Sequence, residues 1–132
     1  MKALQRSLDW LENPEVYAVN REEAHSSHLF YEAEEDIYAG GEMPLKQSLN
    51  GTWKFAFASC PNERPAEFYR MDCDCSEFGT IEVPGHIQTQ GYDRCQYVNT
   101  QYPWDGWEEL RPPYISHTDN PVGCYVKEFC VN

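Results

Sequence analysis

The sequence has few basic residues, few aliphatic residues and no long apolar run. Lys and Arg together number 10 against 22 Asp and Glu, which gives a formal net charge of −12. Nucleic acids and anionic membranes bind through clustered cations, so this balance argues against both as partners. No stretch is as long as a membrane span, and the N-terminal "MKALQRSLDWLENP" has no apolar run long enough for a signal peptide. We therefore expect a cytoplasmic protein.

Common catalytic and metal-binding patterns are also missing. The sequence contains no Gly-rich phosphate loop, no HExxH and no GxSxG motif. Six Cys would allow a disulfide framework in a secreted domain, but without a secretion signal we expect reduced thiols. Cys73 and Cys75 have no second ligand pair at zinc-site spacing, so we interpret this segment as a surface turn. The residues thus indicate neither a catalytic group nor a metal site in this chain.

Composition divides the chain near residue 45. Residues 1–45 are polar, acidic and weakly periodic, and they are predicted to form an extended N-terminal arm with little helix. One short helix is predicted over Pro14–Ala24, because Asn13 followed by Pro14 and Glu15 is typical of a helix start. The arm has too few apolar residues to fold alone, so we expect it to lie on a larger body. Residues 46–132 are predicted to be the first part of a β domain.

The clearest strand pattern lies in "SLNGTWKFAFAS", residues 48–59. Trp53, Phe55 and Phe57 alternate there with polar or small residues. This period of two indicates a half-buried strand with an aromatic inner face. Asn50 and Gly51 supply a turn just before it.

Two further strands are predicted after the first. "GTIEVPG" gives a short strand that ends at Pro84. "NPVGCYVKEFCVN" gives a third, with Tyr125, Phe129 and Val131 on one face. Strands separated by Pro and Gly turns are typical of an all-β sandwich or jelly roll. Three strands are fewer than a sandwich needs, so we expect an incomplete domain with an edge that is open to a partner strand.

Rings and side-chain amides are concentrated in "VPGHIQTQGYDRCQYVNTQYPWDG", residues 83–106. Its aromatic residues are Tyr92, Tyr97, Tyr102 and Trp104. Flat rings stack on the apolar faces of sugars, and amides donate to and accept from hydroxyl groups. The stretch is therefore suited to carbohydrate. In the alternative interpretation, the rings close the end of a sandwich and the amides bond the loop backbone.

Four stretches in the same order carry a resemblance to a known family. They are "DWLENPEVYAVNREEAH", "SLNGTWKFAF", "VPGHIQTQGYDRCQYVNTQYP" and "TDNPVGCYVKEFCV". Together they span nearly the whole chain, and it resembles the N-terminal part of the β-galactosidases of glycoside hydrolase family 2. Leu11 looks like an insertion in the first stretch, and "WDGWEEL", residues 104–110, is specific to this sequence.

The resemblance implies a galactose-binding-like jelly roll preceded by an arm. It implies that Asn99 bonds galactose hydroxyls, with Tyr97, Tyr102 and Trp104 as lesser candidates for substrate binding. The family's two catalytic Glu residues belong to a barrel beyond residue 132, as do most residues that bind its Mg²⁺ and Na⁺. The expected partners are a galactoside bound by the complete enzyme, the remaining domains of that enzyme and further copies of it. This chain alone is expected to be inactive.

Two alternatives stay open at this point. The chain would be a free-standing carbohydrate-binding module if its strands closed without a partner. It would be an assembly fragment if its role were structural and made no sugar contact. Titration with galactose or lactose would separate the last two roles.

Overall fold

The computed structural model describes residues 8–19, 21–40, 46–96, 99 and 102–131. These residues fall into two compact units, one within Met1–Tyr17 and Asn50–Asn132 and the other within Ala18–Leu49. The predicted division at residue 45 stays a prediction. Among the described residues, no helix has the length and apolar character needed to cross a membrane.

The larger unit contains one antiparallel sheet. Its strands are β1, Gly51–Ala58, β2, Gly79–Val83, and β3, Val122–Val126, in the order β2-β1-β3. The described residues of this unit also include three short 3₁₀ turns, at Leu8–Trp10, Pro61–Glu63 and Gln88–Gln90. The prediction of an all-β fold with little helix is confirmed, and the described residues form one layer of sheet.

One face of the sheet carries the aromatic residues, as the alternation in β1 predicts. The register pairs Trp53 with Ile81 and Phe55 with Tyr125, so all four side chains lie on the same face. Phe55 is 1% exposed and Ile81 is 2% exposed. A Cβ on Gly123 would lie 2.7 Å from a carbon of the Phe55 ring. The ring of Phe55 therefore occupies the space above Gly123, where only glycine fits.

The third strand is shorter than predicted. Pairing with β1 stops at Val126, which lies opposite Lys54. Phe129 and Val131 follow the strand and are exposed, so the prediction that they share a face with Tyr125 is wrong. Lys127 interrupts the apolar alternation, and its ammonium group donates a hydrogen bond to the Thr52 carbonyl, at 2.8 Å. The buried residue of β3 is Cys124, on the opposite face, and burial raises the pKa of its thiol.

The helix predicted over Pro14–Ala24 is also wrong. Residues 14–19 and 21–24 form turns and irregular chain. The Asn13 side chain accepts a hydrogen bond from the Glu15 amide at 3.0 Å, as a helix cap would, but the turn goes no further. Tyr17 is 78% exposed, so no apolar side of a helix would be buried here, and such burial supplies most of a helix's stability.

The helix of the smaller unit is α1, Glu34–Ala39, which the sequence patterns did not predict. Acidic residues fill its first turn, where the positive end of the helix dipole favours them. The carboxylate of Asp36 accepts a hydrogen bond from the Ala33 amide at 3.2 Å. Gly40 ends the helix in the left-handed conformation, with φ of 65°.

The first turn of the larger unit is joined to a distant loop through Glu12. One carboxylate oxygen of Glu12 lies 2.8 Å from Nε2 of His117 and accepts a hydrogen bond from the Ile115 amide at 3.3 Å. The bond with His117, followed by that with Ile115, lowers the pKa of Glu12, while desolvation and, to a smaller extent, the nearby charge of Asp9 oppose the shift.

Because the folded protein lowers the pKa of Glu12, its contact stabilises the fold above the ordinary value of 4.5 and loses strength as the pH falls below it. We predict that the free energy of unfolding of wild type exceeds that of Glu12→Gln near neutral pH, and that this difference shrinks below pH 4.5. Urea unfolding across a pH series measures both. Glu109→Gln, at an exposed position, controls for the loss of one charge. A difference that does not change with pH would contradict the prediction.

Candidate functional site

The ring-rich and amide-rich stretch forms the loop that follows β2. A depression of about 480 Å³ lies along this loop. Its lining residues are His86, Ile87, Gln88, Thr89, Asp93, Cys95, Gln96 and Pro121. A second depression, of about 400 Å³, adds Phe57, Tyr92, Arg94 and Asp119. The loop and the turn before β3 thus form a surface on which polar, aliphatic and aromatic side chains are mixed.

Gln90 and Tyr92 fasten this loop to the sheet. The Gln90 amide donates to the Glu82 carbonyl at 2.9 Å and accepts from the Glu82 amide at 2.8 Å. The Tyr92 ring lies against Phe55, with centroids 4.5 Å apart, and its hydroxyl donates to the Thr80 carbonyl at 2.7 Å. For these two residues the structural interpretation of the stretch applies, since their polar groups bond the backbone of β2.

Asp119 connects the far end of the loop to the turn before β3. Its carboxylate accepts a hydrogen bond from the Arg94 guanidinium at 2.8 Å, and its carbonyl accepts one from the Trp104 indole at 2.6 Å. The Arg94 guanidinium also lies 5.5 Å from the centroid of the Trp107 ring. These contacts therefore link Arg94 and Trp104 to the turn before β3.

The residues predicted to bind substrate fall in different surroundings. Asn99 is exposed, and Tyr102 is 79% exposed. Trp104 is half-buried, because its indole is bonded to Asp119. Tyr97 lies outside the described residues. The substrate-binding role of all four stays a prediction.

The metal ions implied by the resemblance find no ligand set in the described part of the chain. No three His, Cys, Asp or Glu side chains come together there in a way that could hold a metal ion. All six Cys are free thiols, including Cys73 and Cys75. No chemical step is therefore assigned to a metal held by these residues.

Sequence patterns missed Asp119 and Ser116 as organising residues. The Ser116 side chain is 1% exposed, and its hydroxyl accepts hydrogen bonds from the amides of Thr118 and Asp119. The same hydroxyl donates to the Glu108 carboxylate at 2.5 Å. Asp119 lies in "TDNPVGCYVKEFCV", one of the stretches that carry the resemblance, but no sequence pattern indicated that it binds residues of another loop.

Comparison with known proteins identifies the family. The model of the sugar binding domain of glycosyl hydrolases family 2 matches residues 46–132. A β-galactosidase of Clostridium acetobutylicum is 58% identical over 93% of this chain and 14% of its own length. A β-galactosidase of Halalkalibacterium halodurans is 54% identical over 93% of the chain and 12% of its own length. The β-galactosidase large subunit of Leuconostoc lactis is 44% identical over 96% of the chain and 22% of its own length.

The sheet and its aromatic loop thus form part of an all-β sugar-binding domain. The chain belongs to glycosyl hydrolase family 2, as the resemblance predicted, and its residues 46–132 match the sugar binding domain of that family. It spans between 12% and 22% of the lengths of these three relatives.

The contact between the Tyr92 hydroxyl and Thr80 generates a prediction about stability. Tyr92→Phe keeps the ring on Phe55 but leaves the Thr80 carbonyl without this donor. We expect the free energy of unfolding to fall by about 0.5–1.5 kcal/mol, the usual net contribution of one such bond. Urea unfolding measures it. Tyr102→Phe removes a hydroxyl from an exposed ring and should cost less than about 0.5 kcal/mol; equal losses in the two variants would contradict the prediction.

Proposed function

We propose that this chain is the sugar-contacting N-terminal part of a β-galactosidase. The observation that carries the proposal is the 58% identity to a β-galactosidase over 93% of the chain. The whole protein would hydrolyse terminal β-D-galactosides such as lactose with retention of configuration, through two carboxylates. Both carboxylates would belong to parts of the enzyme other than this chain. Residues 1–45 would form the arm and residues 46–132 the first part of the sugar-binding domain.

Asn99 is the proposed contact with galactose. Its side chain is exposed, and an amide can both donate to and accept from sugar hydroxyls. The turn at residues 102–108 adds exposed aromatic surface, since Tyr102 is 79% exposed and Trp107 is 75% exposed. Such rings are suited to the apolar face of a pyranose. The remaining domains and further copies of the enzyme are the proposed partners, and the proposed compartment is the cytoplasm.

The sugar contact predicts a loss of affinity in Asn99→Ala. We expect its dissociation constant for galactose or lactose, measured by NMR titration of the chain, to rise roughly two- to tenfold, which corresponds to the loss of one hydrogen bond. Asn62→Ala removes an exposed amide from the turn Pro61–Glu63 and should leave the affinity unchanged. Equal binding by wild type and Asn99→Ala would remove Asn99 from the proposal.

An assembly role is the second candidate, and the surface of the smaller unit favours it. Its exposed apolar residues include Leu29, Phe30, Ile37 and Tyr38, each at least 52% exposed. Large apolar residues that stay exposed in so small a unit would be covered if the unit contacted other protein. In this role residues 18–49 would join the chain to the rest of the enzyme.

One set of activity measurements, on the chain alone and on the chain mixed with the rest of the enzyme, tests both the assembly role and the proposed absence of turnover. We expect no hydrolysis of a chromogenic galactoside by the purified chain, because both catalytic carboxylates would lie elsewhere. Addition of the chain to an enzyme that lacks residues 1–132 should restore activity. Tyr38→Ser with Leu29→Ser should weaken the restoration, while Glu23→Gln, at an exposed position of the same unit, should not. Hydrolysis by the chain alone would contradict the proposal that both catalytic carboxylates lie elsewhere in the enzyme. No gain in activity on mixing would contradict the assembly role.

A further inference from the structure

The turn at residues 102–108 carries an exposed tryptophan on a hydrogen-bonded backbone. The Tyr102 carbonyl accepts a hydrogen bond from the Asp105 amide at 3.2 Å, and the Asp105 carboxylate accepts one from the Tyr102 amide at 2.9 Å. The Trp104 carbonyl accepts a hydrogen bond from the Trp107 amide at 2.9 Å. Trp107 is nevertheless 75% exposed. Its backbone is therefore bonded within the turn, while most of its ring lies in solvent.

Trp104 joins this turn to the body of the larger unit. Its indole donates to the Asp119 carbonyl at 2.6 Å, and the Asp119 amide donates to the Ser116 hydroxyl at 2.8 Å. Ser116 is 1% exposed, so this series of bonds ends at a buried residue. The φ of Trp104 is 71°, in the left-handed region that residues with a Cβ rarely adopt, and such a conformation persists where surrounding contacts fix it. Trp104 thus fixes the start of the turn.

Arg94 lies over one face of the Trp107 ring. Its guanidinium is 5.5 Å from the ring centroid, a distance at which a cation is attracted to an aromatic ring. The same guanidinium donates to the Asp119 carboxylate at 2.8 Å, which limits its movement. Because the ring is held by Arg94 and by its own backbone, a ligand that binds it has less side-chain freedom to remove than at a mobile residue.

Charged residues near the ring favour a sugar over a protein as its ligand. Asp105, Glu108 and Glu109 lie in the turn or directly after it. Arg94 and Asp119 also line the depression of about 400 Å³. The centre of a protein interface is depleted of charged residues, whereas carboxylate and guanidinium groups bind hydroxyl groups well. A ring in these surroundings suits a ligand that has one apolar face and several hydroxyl groups.

We propose that Trp107 stacks on the galactose ring and favours galactose over glucose, with Arg94 as the residue that positions its indole. The inference rests on the proposed function, since it adds a second contact with the same sugar. The axial hydroxyl at C4 of galactose leaves the C–H groups of C3, C4 and C5 together on one face. In glucose this hydroxyl is equatorial, and the C–H group of C4 points to the other face. An aromatic ring therefore has a larger apolar face to cover on galactose.

Three substitutions test the contact. Trp107→Ala removes the ring, Trp107→Phe keeps a smaller ring, and Arg94→Gln removes the cation from its face. Tyr114→Ala is the control for the loss of a ring, because Tyr114 is 61% exposed and lies outside the turn. Arg70→Gln is the control for the loss of a cation, because Arg70 pairs with Asp72 at 2.9 Å, also outside the turn.

The first readout is the pair of dissociation constants of the chain for galactose and for glucose, measured by NMR titration. We expect the constant for galactose to rise roughly two- to tenfold in Trp107→Ala, a scale set by the contribution of an aromatic contact. The constant for glucose should rise less. Trp107→Phe should recover part of the affinity, and Tyr114→Ala should leave it unchanged. An equal loss for the two sugars overturns the specificity role.

The second readout is the NMR signal of the Trp107 indole N–H, assigned by its loss in Trp107→Phe. In wild type the signal should shift when galactose is added. In Arg94→Gln it should already be displaced without sugar, and the affinity for galactose should fall by less than in Trp107→Ala. Arg70→Gln should change neither quantity. A Trp107 signal that stays in place in Arg94→Gln overturns the positioning role of Arg94.

The outcomes separate this contact from the one proposed at Asn99. A Trp107 signal that responds to galactose in wild type and in Asn99→Ala supports the stacking contact even where the contact at Asn99 fails. A response to galactose at Asn99 without one at Trp107 overturns the stacking contact and leaves the proposed function in place. A Trp107 signal that responds to the enzyme lacking residues 1–132 and not to galactose also overturns it, and assigns the ring to a protein interface.

Discussion

The contact between Phe55 and Tyr92 is the interaction on which the rest of the larger unit depends. Phe55 comes from the central strand, and its ring fills the space above Gly123 of β3 while Tyr125 lies 4.7 Å away between ring centroids. Tyr92 comes from the loop after β2, and its hydroxyl returns to the backbone of that strand. β1, β3 and the loop therefore meet at one buried ring, and the Tyr92 hydroxyl joins β2 to it, so the core fixes the position of Tyr92 in the loop.

Alternation predicted the parts of the fold in which one face of a strand is buried. β1 was predicted from the alternation of Trp53, Phe55 and Phe57, because every second side chain of a strand lies on the same face of the sheet. The end of β3 was not predictable in this way, since it depends on where pairing with Lys54 stops. A local cap at Asn13 predicted a helix, but a cap does not stabilise a helix that has no apolar face to bury.

Composition located the candidate site but did not assign roles within it. Rings and amides mark the stretch that forms the loop, yet the structure uses Gln90 and Tyr92 to bond the backbone of β2. The bond between Arg94 and Asp119 joins positions 25 residues apart, and that between Glu12 and His117 joins positions 105 apart. No spacing rule relates such pairs, because the folding of the intervening chain brings them together.

The two hydrogen bonds between the Gln90 side chain and the Glu82 backbone have a consequence for how this protein contacts other chains. Backbone groups on an outer strand invite edge-to-edge association, by which β proteins aggregate or capture foreign strands. The amide of Gln90 occupies both backbone groups of Glu82 as a neighbouring strand would, and the hydroxyl of Tyr92 occupies the carbonyl of Thr80. The side chains of Gln90 and Tyr92 thus cover the edge of β2 that does not pair with β1. Any strand that added to this edge would first have to displace them.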